Sequence, residues 1–167
     1  LMFSRDEITA LVAGARLLRA WGGASMARAA EEALIKIEEV LPPDARAQAR
    51  AVELHSFAPE MTDGVRTRLD VLTRAIDTRT RFRLSYTDVD ARLTDRVVQP
   101  MGLWFWGKVW TLIAWCELRE DFRMFRVDRI AAMEDTGAVF PVIKGRTLRD
   151  FYAQVEHAEV RRPPNNC

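Results

Sequence analysis

Residues 108–130 constrain the fold most, because they have the pattern of a β-hairpin. Two runs rich in β-branched and aromatic residues flank the polar break Leu118-Arg119-Glu120-Asp121. This composition is typical of two antiparallel strands joined by a short turn. Arg123, Arg126 and Arg129 interrupt the second run. Continued alternation would place Arg126 on one face of the strand and Arg123 and Arg129 on the other, so the sequence predicts guanidinium groups on a rigid binding surface.

Length and charge limit the rest of the chain. Its 167 residues can form one domain or two small ones with a real hydrophobic core. The chain is 49% apolar and 29% charged, the balance of a soluble globular protein. The formal net charge of +1 gives no general attraction to nucleic acid or membranes. An electrostatic function must therefore come from local clustering of charge.

The cysteines and the ends of the chain indicate a cytoplasmic setting. Cys116 lies inside an apolar run and Cys167 is the last residue, so the two do not suggest a disulfide. No apolar run approaches the roughly 20 residues of a membrane span, and the start lacks the layout of a signal peptide. The opening Leu1-Met2 indicates a fragment of a longer protein.

The first 60 residues are predicted to be helical. The capping box from Ser4 to Glu7 predicts a helix that ends at Gly22-Gly23, and Ser25 is expected to cap a second helix that stops at Leu41-Pro42-Pro43. The small residues Ala27, Ala30 and Ala33 of this second helix would let another helix approach closely, as in a dimer. Ordinary core packing explains the same pattern, so both interpretations stay open.

A linker at residues 56–64 separates this region from a sheet-forming one. We expect a third helix from Pro43 and an amphipathic helix from Val65 to Ile76. The predicted domains are a helical linker or dimerisation segment (1–60), a β-domain (61–140), and a closing helix with a frayed tail (141–167).

Several short strands are expected in the β-domain. After Thr80 the apolar residues alternate with period two, which predicts a strand. A second strand should run from Leu93 and end at Pro100, because proline cannot donate to a ladder. Trp104-Phe105-Trp106 is expected to be a separate third strand, followed by the hairpin and a last strand at residues 130–134. The fold class is therefore α+β, with a small, bent antiparallel sheet or barrel.

The sequence contains no recognisable catalytic constellation. His55 and His157 stand far apart without ligands at metal-binding spacing, and no phosphate loop or nucleophile elbow occurs. We predict no catalytic residue, no metal ion and no cofactor, and hence a protein that is not an enzyme.

Arginine and aromatic residues are concentrated in the sheet region instead. Residues 79–130 contain ten Lys or Arg against seven Asp or Glu. The planar fork of arginine matches phosphate or carboxylate and stacks on aromatic rings, so this region predicts an anion or nucleic-acid site. The alternative is that each arginine makes a surface ion pair worth at most about 1 kcal/mol, while the Trp residues are core.

At this hairpin the sequence resembles the WYL domain family, the sensor half of YafY-like bacterial transcription regulators. Trp110-Thr111-Leu112 matches the Trp-Tyr-Leu motif with Thr111 in place of tyrosine, and residues 96–103 and 116–130 resemble the flanking runs. The resemblance implies a five-stranded Sm- or SH3-like barrel that binds single-stranded nucleic acid or a nucleotide-like effector. It implies these ligand-binding residues: Trp110, Arg119, Arg123 and Arg126, with Tyr86 and Arg96 as further members.

In such regulators a winged helix-turn-helix reader precedes a helical linker of this kind. The chain is therefore expected to be the sensor and linker portion, without that reader, and to form a homodimer. Two other functions stay open. One is an oligomerisation module whose arginines are structural, and the other is an Sm-like RNA-binding protein that acts without a reader.

Overall fold

The computed structural model describes residues 3–160, with side chains up to His157. The described chain forms two compact units, one ending at Val71 and one beginning at Leu72. The tail predicted at 161–167 lies outside the described residues. Within the described part, no helix combines the length and the apolar character that crossing a membrane requires.

Helices build the first unit. They are α1 (Arg5–Trp21), α2 (Ala24–Val40), α3 (Pro43–Arg50) and the start of α4 (Asp63–Thr78). The predicted capping box of α1 is confirmed, since the Glu7 amide donates to Ser4 Oγ and the Ser4 amide donates to Glu7 Oε2. Ile8, Val12, Leu41 and Ala49 form the core of this unit.

The corner between α1 and α2 corrects one prediction. Gly23, and not Ser25, is the N-cap of α2, and it makes no side-chain cap. The Asp70 carboxylate takes over this role by accepting the Ser25 amide at 3.0 and 3.2 Å. Arg66 donates to the Gly22 carbonyl at 2.7 Å, so side chains of α4 satisfy both helix ends at the corner. A Cβ added at position 23 would lie 2.4 Å from Asp70 Oδ1, so a larger residue would displace the carboxylate that caps α2.

The second unit is a five-stranded antiparallel sheet with strand order β4-β3-β2-β1-β5. The strands are β1 (Thr80–Thr87), β2 (Leu93–Phe105), β3 (Trp110–Cys116), β4 (Asp121–Arg126) and β5 (Ile130–Val139). A short 3-10 helix (Val127–Arg129) joins β4 to β5, and α5 (Leu148–Val160) closes the unit. The predicted α+β class and the predicted hairpin are confirmed.

Strand β2 is longer than expected. Its predicted end at Pro100 and the separate strand at Trp104-Phe105-Trp106 are both wrong, because one strand runs through to Phe105. The register shifts between Pro100 and Gly102. A bulge tolerates proline inside a strand, since the ladder is interrupted there in any case.

Both sides of the sheet are packed. Leu84, Val98 and Leu112 are fully buried on one side. On the other side, Phe151 of α5 packs with Ile113, Trp115 and Phe122. Among the described strands, β4 and β5 are edges that do not pair with each other, so the sheet is bent but is not closed into a barrel. The 3-10 helix between these strands carries the chain across the gap.

Candidate ligand-binding site

Arg126 is the most firmly positioned guanidinium of the predicted site. Its Nε and Nη2 donate to the two carboxylate oxygens of Asp128 at 3.1 and 2.7 Å. These hydrogen bonds raise the pKa of Arg126 above its ordinary value and hold the pKa of Asp128 below its ordinary value. The side chains stay 39% and 38% exposed, so a ligand in solution can reach them.

Tyr86 fixes the backbone at the same point. Its hydroxyl accepts the Arg126 amide at 3.3 Å, and its ring meets Phe125 edge to face, with centroids 5.1 Å apart. The structure therefore brings together two of the predicted site residues, Tyr86 of β1 and Arg126 of β4.

Arg129 joins this cluster against expectation. The predicted alternation through Arg129 is wrong, because Val127–Arg129 is a 3-10 helix and not a strand. In addition to the hydrogen bonds from Arg126, the positive charge of Arg129 lowers the pKa of Asp128. Arg126 thus binds the carboxylate directly, and Arg129 adds positive charge in its surroundings. The sequence feature that indicates this turn is the three-residue spacing of Val127 and Ile130, which are both buried. That spacing fits a helical turn better than a strand.

Aromatic rings lie in the same row of the sheet. The register pairs Trp104 with Thr111, and Thr111 with Arg126. Paired residues project from the same face, and two strand spacings separate Trp104 from Arg126 by about 10 Å. Trp104 stacks on Tyr152 at 5.5 Å and 18°, and its Nε1 donates to the Tyr152 hydroxyl at 2.9 Å. Tyr152 was not among the predicted residues, because it comes from α5.

Arg119 and Arg123 lie toward the β3–β4 turn, at the end of the hairpin away from Arg126. Arg123 is exposed on β4 and pairs with Asp121 at 3.6 Å. Arg119 is exposed in the β3–β4 turn, where its amide donates to the Cys116 carbonyl at 3.2 Å. These two arginines add positive charge at the turn end of the β3–β4 hairpin.

The remaining predicted residues lie elsewhere on the sheet. Arg96 of β2 donates to the carbonyl of Asp95 at 2.9 Å. Trp110, at the start of β3, packs its ring 5.0 Å from that of Phe105. Following the register across the strands puts Arg96, Trp110, Arg123 and Tyr86 on the face opposite to Arg126. The six predicted residues therefore do not form one cluster.

One partly buried polar network lies outside the predicted site. Glu117 Oε1 accepts Gln99 Nε2 at 2.9 Å and lies 3.0 Å from Arg81 Nε. Gln99 is only 4% exposed. Because this network ties β1, β2 and the end of β3 together, its arginine has a structural explanation.

The chemistry of the site suits an anion and a flat ring. Guanidinium groups recognise phosphate or carboxylate, and the Trp104 and Tyr152 rings offer stacking partners. Among the described residues, no group of three or more His, Cys, Asp or Glu could hold a metal ion.

The second unit is a small antiparallel sheet that carries arginines and aromatic rings and follows the helical unit in sequence. Residues 67–135 match the model of the WYL domain, which confirms the resemblance.

Two known proteins are similar to the chain. The DNA-binding transcriptional repressor CapW of Stenotrophomonas maltophilia is 36% identical over 72 residues, which is 42% of this chain and 24% of the repressor. The chain thus spans about a quarter of that relative's length. The structure of proteasome accessory factor B/C (PafBC) of Arthrobacter aurescens aligns with 87% of this chain and 22% of that one, at 27% identity and a TM-score of 0.45.

Proposed function

We propose that this chain is the effector-binding part of a cytoplasmic bacterial transcription regulator, and that its WYL domain binds an anionic ligand. The ligand class is single-stranded nucleic acid or a nucleotide. The observation that carries the proposal is the cluster of Arg126, Asp128 and Arg129 at one end of a sheet row that has Trp104 at the other.

Arg126 can hold a phosphate without giving up its present contacts. A guanidinium has five N–H donors, and Asp128 occupies two of them. Three donors stay available for phosphate oxygens. Because Asp128 holds the fork and Tyr86 holds the backbone amide, less conformational freedom is lost on binding than for a free surface arginine.

The aromatic end of the row supplies the surface for a base. Trp104 contacts Trp106 with ring centroids 5.1 Å apart, and Trp106 is 57% exposed. Base stacking on an aromatic side chain contributes about 1–3 kcal/mol per base and tolerates any sequence. A short single strand can span the roughly 10 Å between ring and guanidinium.

The other predicted residues take graded roles in this proposal. Arg119 and Arg123 lie away from the Arg126 cluster and contribute only longer-range positive charge, and Tyr86 acts as a positioning residue through the Arg126 amide. Arg96 and Trp110 contribute from the opposite face of the bent sheet.

The regulatory role rests on the WYL match and on the repressor relative. A transcriptional repressor that contains a similar region supports a sensor without enzymatic activity. In the proposed regulator, ligand occupancy of the sheet changes the helical region, which passes the change to a DNA-reading domain of the longer protein.

A binding titration tests the proposal. A short fluorescein-labelled oligothymidylate and a panel of nucleotides are titrated against the wild type, Arg126→Ala and the control Arg83→Ala. Arg83 is a suitable control because it is exposed on β1 and pairs with Glu134 at 3.6 Å. A charge-assisted hydrogen bond contributes about 1.5–3 kcal/mol, so Arg126→Ala should weaken binding about tenfold or more.

Salt dependence identifies the contact as one to phosphate. Removing a single phosphate contact should lower the slope of log K against log salt by about 0.7 for a single strand. The proposal fails if neither oligonucleotides nor nucleotides bind, or if Arg126→Ala and Arg83→Ala have equal effects.

A second candidate function is an Sm-like RNA-binding protein. Among the described strands, β4 and β5 each have one edge that pairs with no other strand, which favours this function because exposed edges allow neighbouring subunits to pair. This function requires a preference for RNA over DNA and assembly into a ring, which sedimentation equilibrium in the presence of RNA would detect.

A further inference from the structure

A small pocket lies in the second unit, apart from the Arg126 cluster. Its volume is about 160 Å³, and its walls come from the end of α4, the bulge of β2 and the segment that joins β5 to α5. Its charged lining residues are two arginines, Arg79 and Arg146, and no acidic residue is among the described residues that line it. The rest of the wall is mostly apolar and includes Ile76, Met101, Phe140 and Leu148.

Arg146 is held at this pocket by an aromatic ring. Its guanidinium carbon lies 4.6 Å from the centroid of the Trp115 ring, which is a cation–π contact. Trp115 is only 8% exposed and packs with Ile113, Phe122 and Phe151, so the ring is a fixed platform. In the described part of the chain no carboxylate pairs with Arg146. Its charge and its N–H donors therefore stay available to an anion.

Arg79 has a backbone conformation that favours a different residue. It follows the last residue of α4 and has a φ of +53°, in the left-handed region that glycine adopts at helix ends. Its carbonyl accepts the Phe140 amide at 2.9 Å, which fixes the backbone beside the pocket. The side chain is exposed, and it has no hydrogen bond or ion pair to any residue that the structure describes. The local structure thus does not explain an arginine at this position, whereas a ligand in the pocket does.

The size of the pocket and its walls limit the ligand. An apolar cavity of about 150 Å³ holds a benzene molecule, so this pocket fits one ring or a short chain. Apolar walls with a few polar groups are typical of small-molecule sites. Guanidinium groups match the oxygens of a carboxylate or a phosphate.

We propose that this pocket binds a small organic oxyanion. Arg79 and Arg146 hold one carboxylate or phosphate, and an apolar body the size of one ring packs against Met101 and Leu148. The ligand is a molecule of this kind and not a nucleic acid, because the pocket has room for a single ring.

The pocket is separate from the proposed nucleic-acid site. Trp115, which holds Arg146, and Thr111, which pairs with Arg126, both lie on β3. At 3.3 Å per residue these two positions are about 13 Å apart. A one-ring ligand cannot reach both arginines, so the pocket is a second ligand site that does not depend on the first.

Matched probes test the ligand class. Benzoate, phenyl phosphate, benzyl alcohol and acetate are each titrated into the full chain to about 10 mM, because fragment-sized ligands bind weakly. Amide chemical shifts of the lining residues, such as Phe140 and Leu148, are followed by NMR. At least one aromatic anion should bind tenfold or more tightly than benzyl alcohol, which lacks the charge, and than acetate, which lacks the ring. The anion that binds identifies the head group. Absence of binding by both aromatic anions overturns the proposal, as does equal binding of benzyl alcohol.

Substitution of the arginines tests the site. Arg79→Gly removes the guanidinium and places glycine where φ is positive, so its melting temperature should not fall. Its Kd for the aromatic anion should rise at least tenfold, since a hydrogen bond to a charged group accounts for about that factor. Arg146→Gln should weaken binding similarly, whereas Arg146→Lys keeps a cation and should retain part of the affinity. The control is Arg149→Gln, because Arg149 is exposed on α5 and does not line the pocket. Equal effects of Arg79→Gly and Arg149→Gln would overturn the assignment.

Crossed variants separate the two ligand sites. Arg126→Ala should leave binding of the aromatic anion unchanged, and Arg79→Gly should leave binding of oligothymidylate unchanged. If Arg79→Gly weakens oligothymidylate binding and neither aromatic anion binds, the pocket belongs to the nucleic-acid surface and the proposal is wrong. If an aromatic anion binds and no oligonucleotide or nucleotide does, the pocket assignment stands and the proposed function fails.

Discussion

Replacing Asp128 by Asn should strengthen the binding of single-stranded nucleic acid. Asp128 is the carboxylate that Arg126 binds, and the positive charge of Arg129 also acts on it. Its removal changes the net charge of this cluster from +1 to +2. Asparagine keeps an oxygen that can accept from Arg126, so the shape of the cluster is preserved while the repulsion of an incoming phosphate is lost.

Coulomb's law gives the size of the effect. A phosphate bound to Arg126 would lie about 6 Å from the Asp128 carboxylate. At an effective dielectric constant between about 40 and 80, the repulsion between two unit charges at that distance is about 0.7–1.4 kcal/mol. The dissociation constant should therefore fall roughly 3- to 10-fold in low salt.

Fluorescence anisotropy with a labelled oligothymidylate measures this change at about 20 mM and about 200 mM salt. The gain should shrink at the higher salt, because screening shortens the range of the interaction. Glu134→Gln is the matched control. Glu134 lies on β5, pairs with Arg83 of β1 and is 74% exposed, so the substitution also removes one acidic charge beside an arginine. Unchanged or weaker binding by Asp128→Asn in low salt would refute the assignment of Arg126 as the phosphate contact.

Three further predictions concern stability and positioning. The pKa of Asp128 is depressed in the folded state. Its contribution to the free energy of unfolding is therefore present above the ordinary pKa of 3.8 and is lost as the pH falls through the folded pKa. In urea unfolding between pH 6 and pH 2.5, the stability of Asp128→Asn should fall less with acid than that of the wild type. Tyr86→Phe removes the hydrogen bond to the Arg126 amide and should cost about 0.5–1.5 kcal/mol of stability, with weaker oligonucleotide binding in the same titration; unchanged binding would remove its positioning role. Leu112 is fully buried, so Leu112→Ala should lower the free energy of unfolding by about 2–5 kcal/mol, as measured by thermal or denaturant unfolding. A decrease below about 1 kcal/mol would contradict the described core.

Local patterns predicted the elements that local physics controls. The capping box at Ser4 and the polar break after Leu118 were read correctly, because the residues that form each feature lie within a few positions of one another. Pro100 misled the prediction for β2, since a proline normally ends a central strand. The bulge that accommodates it depends on the pairing with β3, which no local pattern shows.

The site is formed by contacts between residues that are far apart in the sequence. Tyr86 and Arg126 are 40 residues apart, and Trp104 and Tyr152 are 48 residues apart. Composition could select the arginines and the aromatic rings, but only the register shows which of them share a face. Arg129 was misplaced because a single 3-10 turn changes the direction of every side chain that follows.

Binding of an anionic ligand by the Arg126 cluster can be observed at the guanidinium itself. The most direct measurement is a spectrum of the arginine Nε–Hε groups, recorded by NMR during a titration with a short oligothymidylate and assigned with Arg126→Lys and Arg83→Lys. The Arg126 resonance should shift progressively and saturate while that of Arg83 stays in place. Binding that shifts Arg83 or other arginines and leaves Arg126 unmoved would contradict the assignment of Arg126.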